Sequence, residues 1–248
     1  MNKMKTLILI LVLNLFYFSL HSQEIMKFVY FNNFPPFSWE DNGKMQGILI
    51  DVLNEVVQKR LKIRVSHRGY PWARAQNMVR VGKADAFVTV PTSERRKYTE
   101  ISKEPVVIAT FTLFVKSDSP QINDFKAVKT VFDLKRFKIG HYKGSGWAEK
   151  NLSGMNVDIA PSVDLTLKKL VAGRFDVFID VSQVIRYKIK EMGLQNQIKE
   201  IPNIIDSSTF NLCIGKNSSY ANILPIFDEI LRKMKEEGKL QEIYEKYR

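Results

Sequence analysis

The chain has 248 residues, 45% hydrophobic and 26% charged, with 12 glycines, 9 prolines and a formal net charge of +12. This balance excludes a disordered or low-complexity chain and is enough for one large domain or two small lobes. The single cysteine, Cys213, excludes an intramolecular disulfide and a Cys/His metal centre, so burial has to hold the core together.

The chain opens on MNKMKTLILILVLNLFYFSLHS. Lys3 and Lys5 precede an apolar run from Leu7 to Phe18, and a small, polar exit follows at Ser19 to Ser22. That is the order of a secretory signal peptide, and the run is short of the ~20 residues a spanning helix needs. Cleavage is expected after Ser22, with no cysteine nearby to carry a lipid. The mature chain is therefore expected to be free in a bacterial periplasm. The basic charge is spread along predicted helices, for instance at Lys188, Lys190, Lys233, Lys235 and Lys239. It reads as a solvated face, or as one drawn to anionic headgroups near a membrane partner. Nucleic acid is not an expected partner of an exported protein.

KFVYF (Lys27 to Phe31) reads as a strand, and the aromatic loop FNNFPPFSWE overlaps its end. GILIDVLNEVVQKRL (Gly47 to Leu61) has helical rows at spacing four. KIRVS (Lys62 to Ser66) is the next strand. PWARAQNMVRVG (Pro71 to Gly82) is a helix with Pro at its start and Gly at its end, and ADAFVTV (Ala84 to Val90) is a strand. The pattern then repeats. FKIGHY (Phe137 to Tyr142) leads through a Gly-rich turn to a helix near Trp147. NVDIA, the helix SVDLTLKKLVAG with Ser162 as N-cap, the strand FDVFID and the helix VSQVIRYKIKEMG follow. Each unit is β-α-β-α-β, and GKADAF (Gly82 to Phe87) is echoed by GRFDVF (Gly173 to Phe178). Two similar α/β lobes are expected. FTLFVKS (Phe111 to Ser117) and TFNLCIGKN (Thr209 to Asn217) stand where two strands would cross between them. The closing helices, Tyr220 to Glu237 and LQEIYEKY, would then return to the first lobe.

Hydrolase chemistry has little support. There is no G-x-S-x-G elbow, no H-E-x-x-H and no Walker or dinucleotide fingerprint. No catalytic residue, cofactor or metal is expected. Five features suit a small polar ligand instead. In the aromatic loop, Phe34 is the ring expected against a ligand, with Phe37 and Trp39 as packing. Arg95, in TSERRKY, suits a carboxylate clamp; the plain alternative is a surface arginine paired with Glu94 or Glu100. Gly144, Ser145 and Gly146 open a helix where an anion is favoured; the alternative is a tight turn with a Ser cap. Asp180 ends a strand, where ligands of open α/β sheets sit, while Asp176 reads as structural. Trp72 starts a helix that could face the same cleft.

In this order, F-P-P-F, G-I-L-I-D-V-L, G-K-A-D-A, S-E-R-R-K-Y-T-E-I-S-K-E-P, Y-K-G-S-G, A-G-R-F-D and G-K-L-Q-E-I-Y-E-K-Y run the length of the mature chain. Together they resemble the bacterial extracellular solute-binding proteins of family 3, which serve amino-acid-type ABC importers. The resemblance implies an α/β, type II periplasmic binding fold: two lobes, a two-strand hinge and a ligand trapped by closure. The implied division is a signal peptide over 1–22, a first lobe of 23–112 and 209–248, and a second lobe of 113–208. Carried over by residue, it implies a ring at Phe34, a carboxylate-binding Arg95, a ligand-facing helix start at Gly144, Ser145 and Gly146, and an ammonium-binding Asp180. The chain departs from the pattern between Asp85 and Arg95, where it is short and leaves Thr89 and Thr92 as the hydroxyls. Gly146 stands where a second hydroxyl would be, and Asp180 comes one residue early. The expected partners are an amino-acid-like solute and the permease of an ABC importer, with the protein a monomer. The alternatives are a ligand-sensing module for a membrane receptor and a dehydratase acting on cyclohexadienyl acids.

Overall fold

The computed structural model describes residues 24–247, so the leader expected over 1–22 lies outside the described residues. Strand β1 (Met26–Phe31) is followed by a small antiparallel sheet of β2 (Asn33–Phe34), β3 (Ser38–Asp41) and β4 (Lys44–Gln46). The aromatic loop is thus partly a hairpin. Helix α1 (Ile48–Leu53) continues as a π-helical stretch, Asn54–Arg60, and buries the rows read from its spacing. Strand β5 is found at Val65–Tyr70, later than KIRVS suggests. Lys62 has a left-handed backbone (φ 59°), so the chain is still turning where the strand was expected. Helix α2 (Trp72–Arg80), strand β6 (Ala86–Thr89) and the short α3 (Ser93–Arg96) complete the unit.

Strand β7 (Thr99–Lys116) is far longer than its expected segment. The second unit comprises α4 (Ile122–Ala127), a 3-10 turn at Val131–Arg136, β8 (Ile139–Tyr142), α5 (Gly146–Asn151), β9 (Val157–Ala160), α6 (Val163–Val171), β10 (Val177–Val181) and α7 (Ser182–Glu191). Ser162 caps α6 by accepting from Leu165 N–H. The long β11 (Ile198–Gly215) and helices α8 (Leu224–Glu236) and α9 (Lys239–Glu245) close the chain.

One eight-stranded sheet runs through the molecule in the order β5-β1-β6-β11-β7-β10-β8-β9. It reads the same from both ends: the first strand of each unit pairs in parallel with the second and third, and a long antiparallel strand follows. The sequence echo has a common structural cause. Asp85 Oδ2 accepts Lys27 N–H at 2.7 Å, and Asp176 Oδ2 accepts Lys138 N–H at 2.8 Å. Each aspartate ties the third strand of its lobe to the first, and Asp176 has the structural role expected of it.

Strands β7 and β11 pair with each other and with both lobes, which makes them the hinge. The closing helices do return to the first lobe. The Asp228 carboxylate accepts Lys103 and Glu104 N–H at 3.0 Å each, Tyr244 Oη donates to Val106 O, and Arg60 pairs with Glu237.

Candidate ligand-binding site

A cleft of about 620 Å³ lies between the lobes. Its first-lobe wall includes Phe34 from β2, Trp72 from the start of α2 and Thr89 from the end of β6. Tyr142 and Gly144, after β8, face them from the second lobe with Ser162, Asp164 and Lys188. Phe210, on β11, joins the two walls. Ligands of α/β sheets sit at the carboxyl ends of strands, and β6 and β8 meet the cavity there.

The lip is held rigidly. Pro36 O and Phe37 O accept the first two N–H groups of α1, from Ile48 and Leu49, at 2.9 and 3.0 Å. These donors have no partner inside the helix, so the loop itself caps it. Phe37 is fully buried against Phe34 and Phe210, as packing. Phe34 is half-buried and presents its ring between Phe31 and Phe210, with centroids 6.3 Å from each. Trp39 has a wider role than holding the lip: its ring contacts both Tyr247 and Tyr187, which stands on α7 of the second lobe.

Thr92, Arg95, Ser145, Gly146 and Asp180 are not on the cavity wall. Thr92 caps α3 by accepting Arg95 N–H at 3.4 Å. Arg95 lies behind Trp72, its guanidinium 5.3 Å from that ring, and donates to Gln76 Oε1 and Val90 O. It has no ion pair among the described residues; Glu94 is taken by Lys97 and Arg80. Burial pushes its pKa below the usual arginine value. Ser145 is buried and caps α5, accepting Ala148 N–H at 3.4 Å. Gly144 N–H donates to Glu149 Oε1 at 3.2 Å, so a carboxylate of the chain already occupies the helix start. The Ser-cap reading is the one that matches these contacts.

Asp180 lies at the end of β10, only 6% exposed. Its Oδ1 accepts Val181 N–H at 2.7 Å, while Oδ2 is buried without a hydrogen-bond partner. Burial pushes its carboxyl up to about 6, opposed by the Val181 N–H and the neighbouring Tyr142 hydroxyl. Tyr142, on the cavity wall, is pushed well above the usual phenol range by burial and by Asp180. A partly satisfied carboxylate therefore stands one side chain away from the cleft.

Asp164 and Lys188 escaped the sequence reading. They pair at 3.6 Å, and Lys188 also reaches Glu191 at 2.7 Å. Burial lowers the Lys188 pKa, but the two carboxylates outweigh it and hold the ammonium charged.

A family model described as bacterial extracellular solute-binding proteins, family 3, matches residues 26–248. The chain belongs to this family. Similar proteins include a probable amino-acid-binding protein, YxeM, of Bacillus subtilis, 25% identical over 86% of this chain and 79% of its own. Another is the arginine-binding periplasmic protein of Mannheimia haemolytica, 24% identical over 87% of each chain. Among solved structures, an ancestral cationic amino acid solute binding protein superposes with a TM-score of 0.70 at 22% identity, covering 90% of this chain and 95% of that one. The family's type II periplasmic binding fold is the fold described above. Among the described residues, no helix is long and apolar enough to cross a membrane.

Proposed function

We propose that this chain is a periplasmic binding protein that captures an amino-acid-like zwitterion between its lobes and delivers it to an ABC importer. The observation that carries the reading is Asp180. A nearly buried carboxylate that, among the described residues, draws only on the Val181 N–H and the neighbouring Tyr142 hydroxyl is costly to keep ionised unless a further donor reaches it. The Tyr142 side of the cleft is where a ligand ammonium would do so. Arg95, which has no ion pair among the described residues and stands 5.3 Å from the Trp72 ring, is the group we assign to the ligand's carboxylate. It can act by turning past the Trp72 edge or by holding that ring against the ligand. Relatives named for amino-acid and arginine binding support the ligand class. Delivery to an importer follows the family resemblance.

Thermal-shift and calorimetric titration with the common L-amino acids test the reading. At least one should raise Tm, because a ligand that binds only the folded state stabilises it by RT ln(1 + [L]/Kd). Arg95→Ala and Asp180→Asn should each weaken that ligand by roughly tenfold or more, as expected for losing a charge-assisted contact. If no amino acid binds, the reading fails. If binding survives both substitutions unchanged, these two residues are not the clamps.

A further inference from the structure

The two walls of the cleft differ in chemistry. The first-lobe and hinge wall carries the aromatic residues Phe31, Phe34, Trp72 and Phe210 and no charged side chain. Phe31, Phe34 and Phe210 form a continuous aromatic run, and Phe31 is left 37% exposed. The charged residues on the cavity wall are Asp164 and Lys188, both from the second lobe and paired with each other. A second cation, Arg95, stands behind Trp72. A guanidinium or extra ammonium entering the cleft would meet Lys188 on the wall, and the one carboxylate there, Asp164, is already paired with that lysine. A flat apolar group would cover exposed ring surface and be gripped by it.

We infer that the cleft takes an amino acid with an uncharged aromatic side chain, which Phe31, Phe34 and Phe210 receive. The inference rests on the amino-acid reading above and adds the side-chain class. Aromatic walls can also hold a cation on their π-faces. Here the ring best suited to that, Trp72, already has the Arg95 guanidinium beside it. The two kinds of ligand therefore separate by experiment.

The test is calorimetry on purified protein stripped of bound ligand by unfolding and refolding, with L-phenylalanine, L-tryptophan, L-alanine, L-arginine and choline. Phenylalanine or tryptophan should bind roughly tenfold or more tighter than alanine, arginine or choline, as expected for burying a ring. Phe31→Ala should reduce the preference for phenylalanine over alanine by about fivefold or more. Phe31→Leu, which keeps an apolar side chain at this half-open position, supplies the same comparison if the alanine variant does not fold by circular dichroism. Arginine or choline binding as tightly as phenylalanine overturns the inference but leaves a cleft that binds solutes. An unchanged phenylalanine preference in the folded variant also overturns it. Failure of every amino acid overturns the parent reading as well.

Discussion

Asp180 has a pH signature of its own. Burial raises its folded pKa from the ordinary 3.8 to about 6. A group raised on folding contributes stability that is full below the unfolded value and is lost as pH rises through the folded one. At neutral pH the ionised carboxylate therefore costs roughly 3 kcal/mol, about two units at 1.36 kcal/mol each. Asp180→Asn should be more stable than the parent by roughly 1–3 kcal/mol in urea unfolding at pH 7.5, with the gain gone by pH 4. On the proposed reading, in which Asp180 receives the ligand's ammonium, the same variant should also bind ligand more weakly. His67 works in the opposite sense. Its ring is held between Tyr30 Oη and Asn54 Oδ1, and burial depresses it from 6.5 to about 4. Its contribution is present above pH 6.5 and is lost as pH falls toward 4. Between pH 4 and 6 the two groups offset each other. Asp180→Asn should therefore make stability fall more steeply with acid than in the parent. A variant whose stability tracks the parent at every pH would show that Asp180 is not desolvated.

At the scale of elements, the join between the aromatic loop and α1 is the point of least tolerance. Gly47 has φ 125°, and a Cβ there would come within 2.5 Å of Phe37 O, which accepts the Leu49 N–H. Gly47→Ala combines a disfavoured backbone with a clash against the capping carbonyl. It should cost roughly 2–4 kcal/mol in denaturant unfolding and weaken ligand binding, because Phe34 rides on the same loop. Equal stability would mean that the loop moves at no cost. A second join is Asp228, whose carboxylate takes the N–H groups of Lys103 and Glu104 and ties α8 to β7. Asp228→Ala leaves both donors short of a partner and should lower stability by about 2–4 kcal/mol, with ligand affinity nearly unchanged in the fraction that folds. A loss of affinity without a loss of stability would instead connect α8 to the cleft. Phe34 and Trp72, which line the cleft, were legible in a loop after a strand and at a helix start, whereas Thr89 came only with the family resemblance. Asp164 and Lys188 were not legible, because on the line of sequence they look like the solvated faces of α6 and α7; only the meeting of two helices turns them into one pair. The hinge strands were read as 111–117 and 209–217, where short apolar runs, FTLFV and LCI, stand out. Their other halves contain Pro105 and Pro202 at register slips, which break the pattern a strand is recognised by.

For the molecule as a whole, the hinge has a definable length. Register between β7 and β11 slips between Ile201 and Asp206, and again between Phe210 and Asn211. Between the slips, Asp206 to Phe210 pair without interruption with Phe111 to Val107. One end of this ribbon is fastened to the second lobe: Trp147 stacks on Phe111 at 4.6 Å and its Nε1–H donates to Asp206 at 2.6 Å. The other end is fastened to the first lobe, where Asn211 to Ile214 pair with Thr89 to Ala86 of β6. We propose that bending is confined to Val107–Phe111, just on the first-lobe side of the 112/113 limit inferred from sequence, and Asp206–Phe210, which straddles the 208/209 limit. Two paired strands can flex along their faces yet resist shear, so closure should be a rotation of one rigid lobe against the other. A ligand that touches both walls would favour the closed state in proportion to the contacts it gains there. Small-angle scattering should therefore show a smaller radius of gyration with saturating ligand. Hydrogen exchange should slow at Phe34, Tyr142 and the Trp39–Tyr187 contact but not within either lobe's sheet. Calorimetric binding with no change in scattering would mean that ligand is held without rotation about this ribbon. Slowed exchange spread through both sheets would mean that the lobes are not the rigid units their fastenings describe.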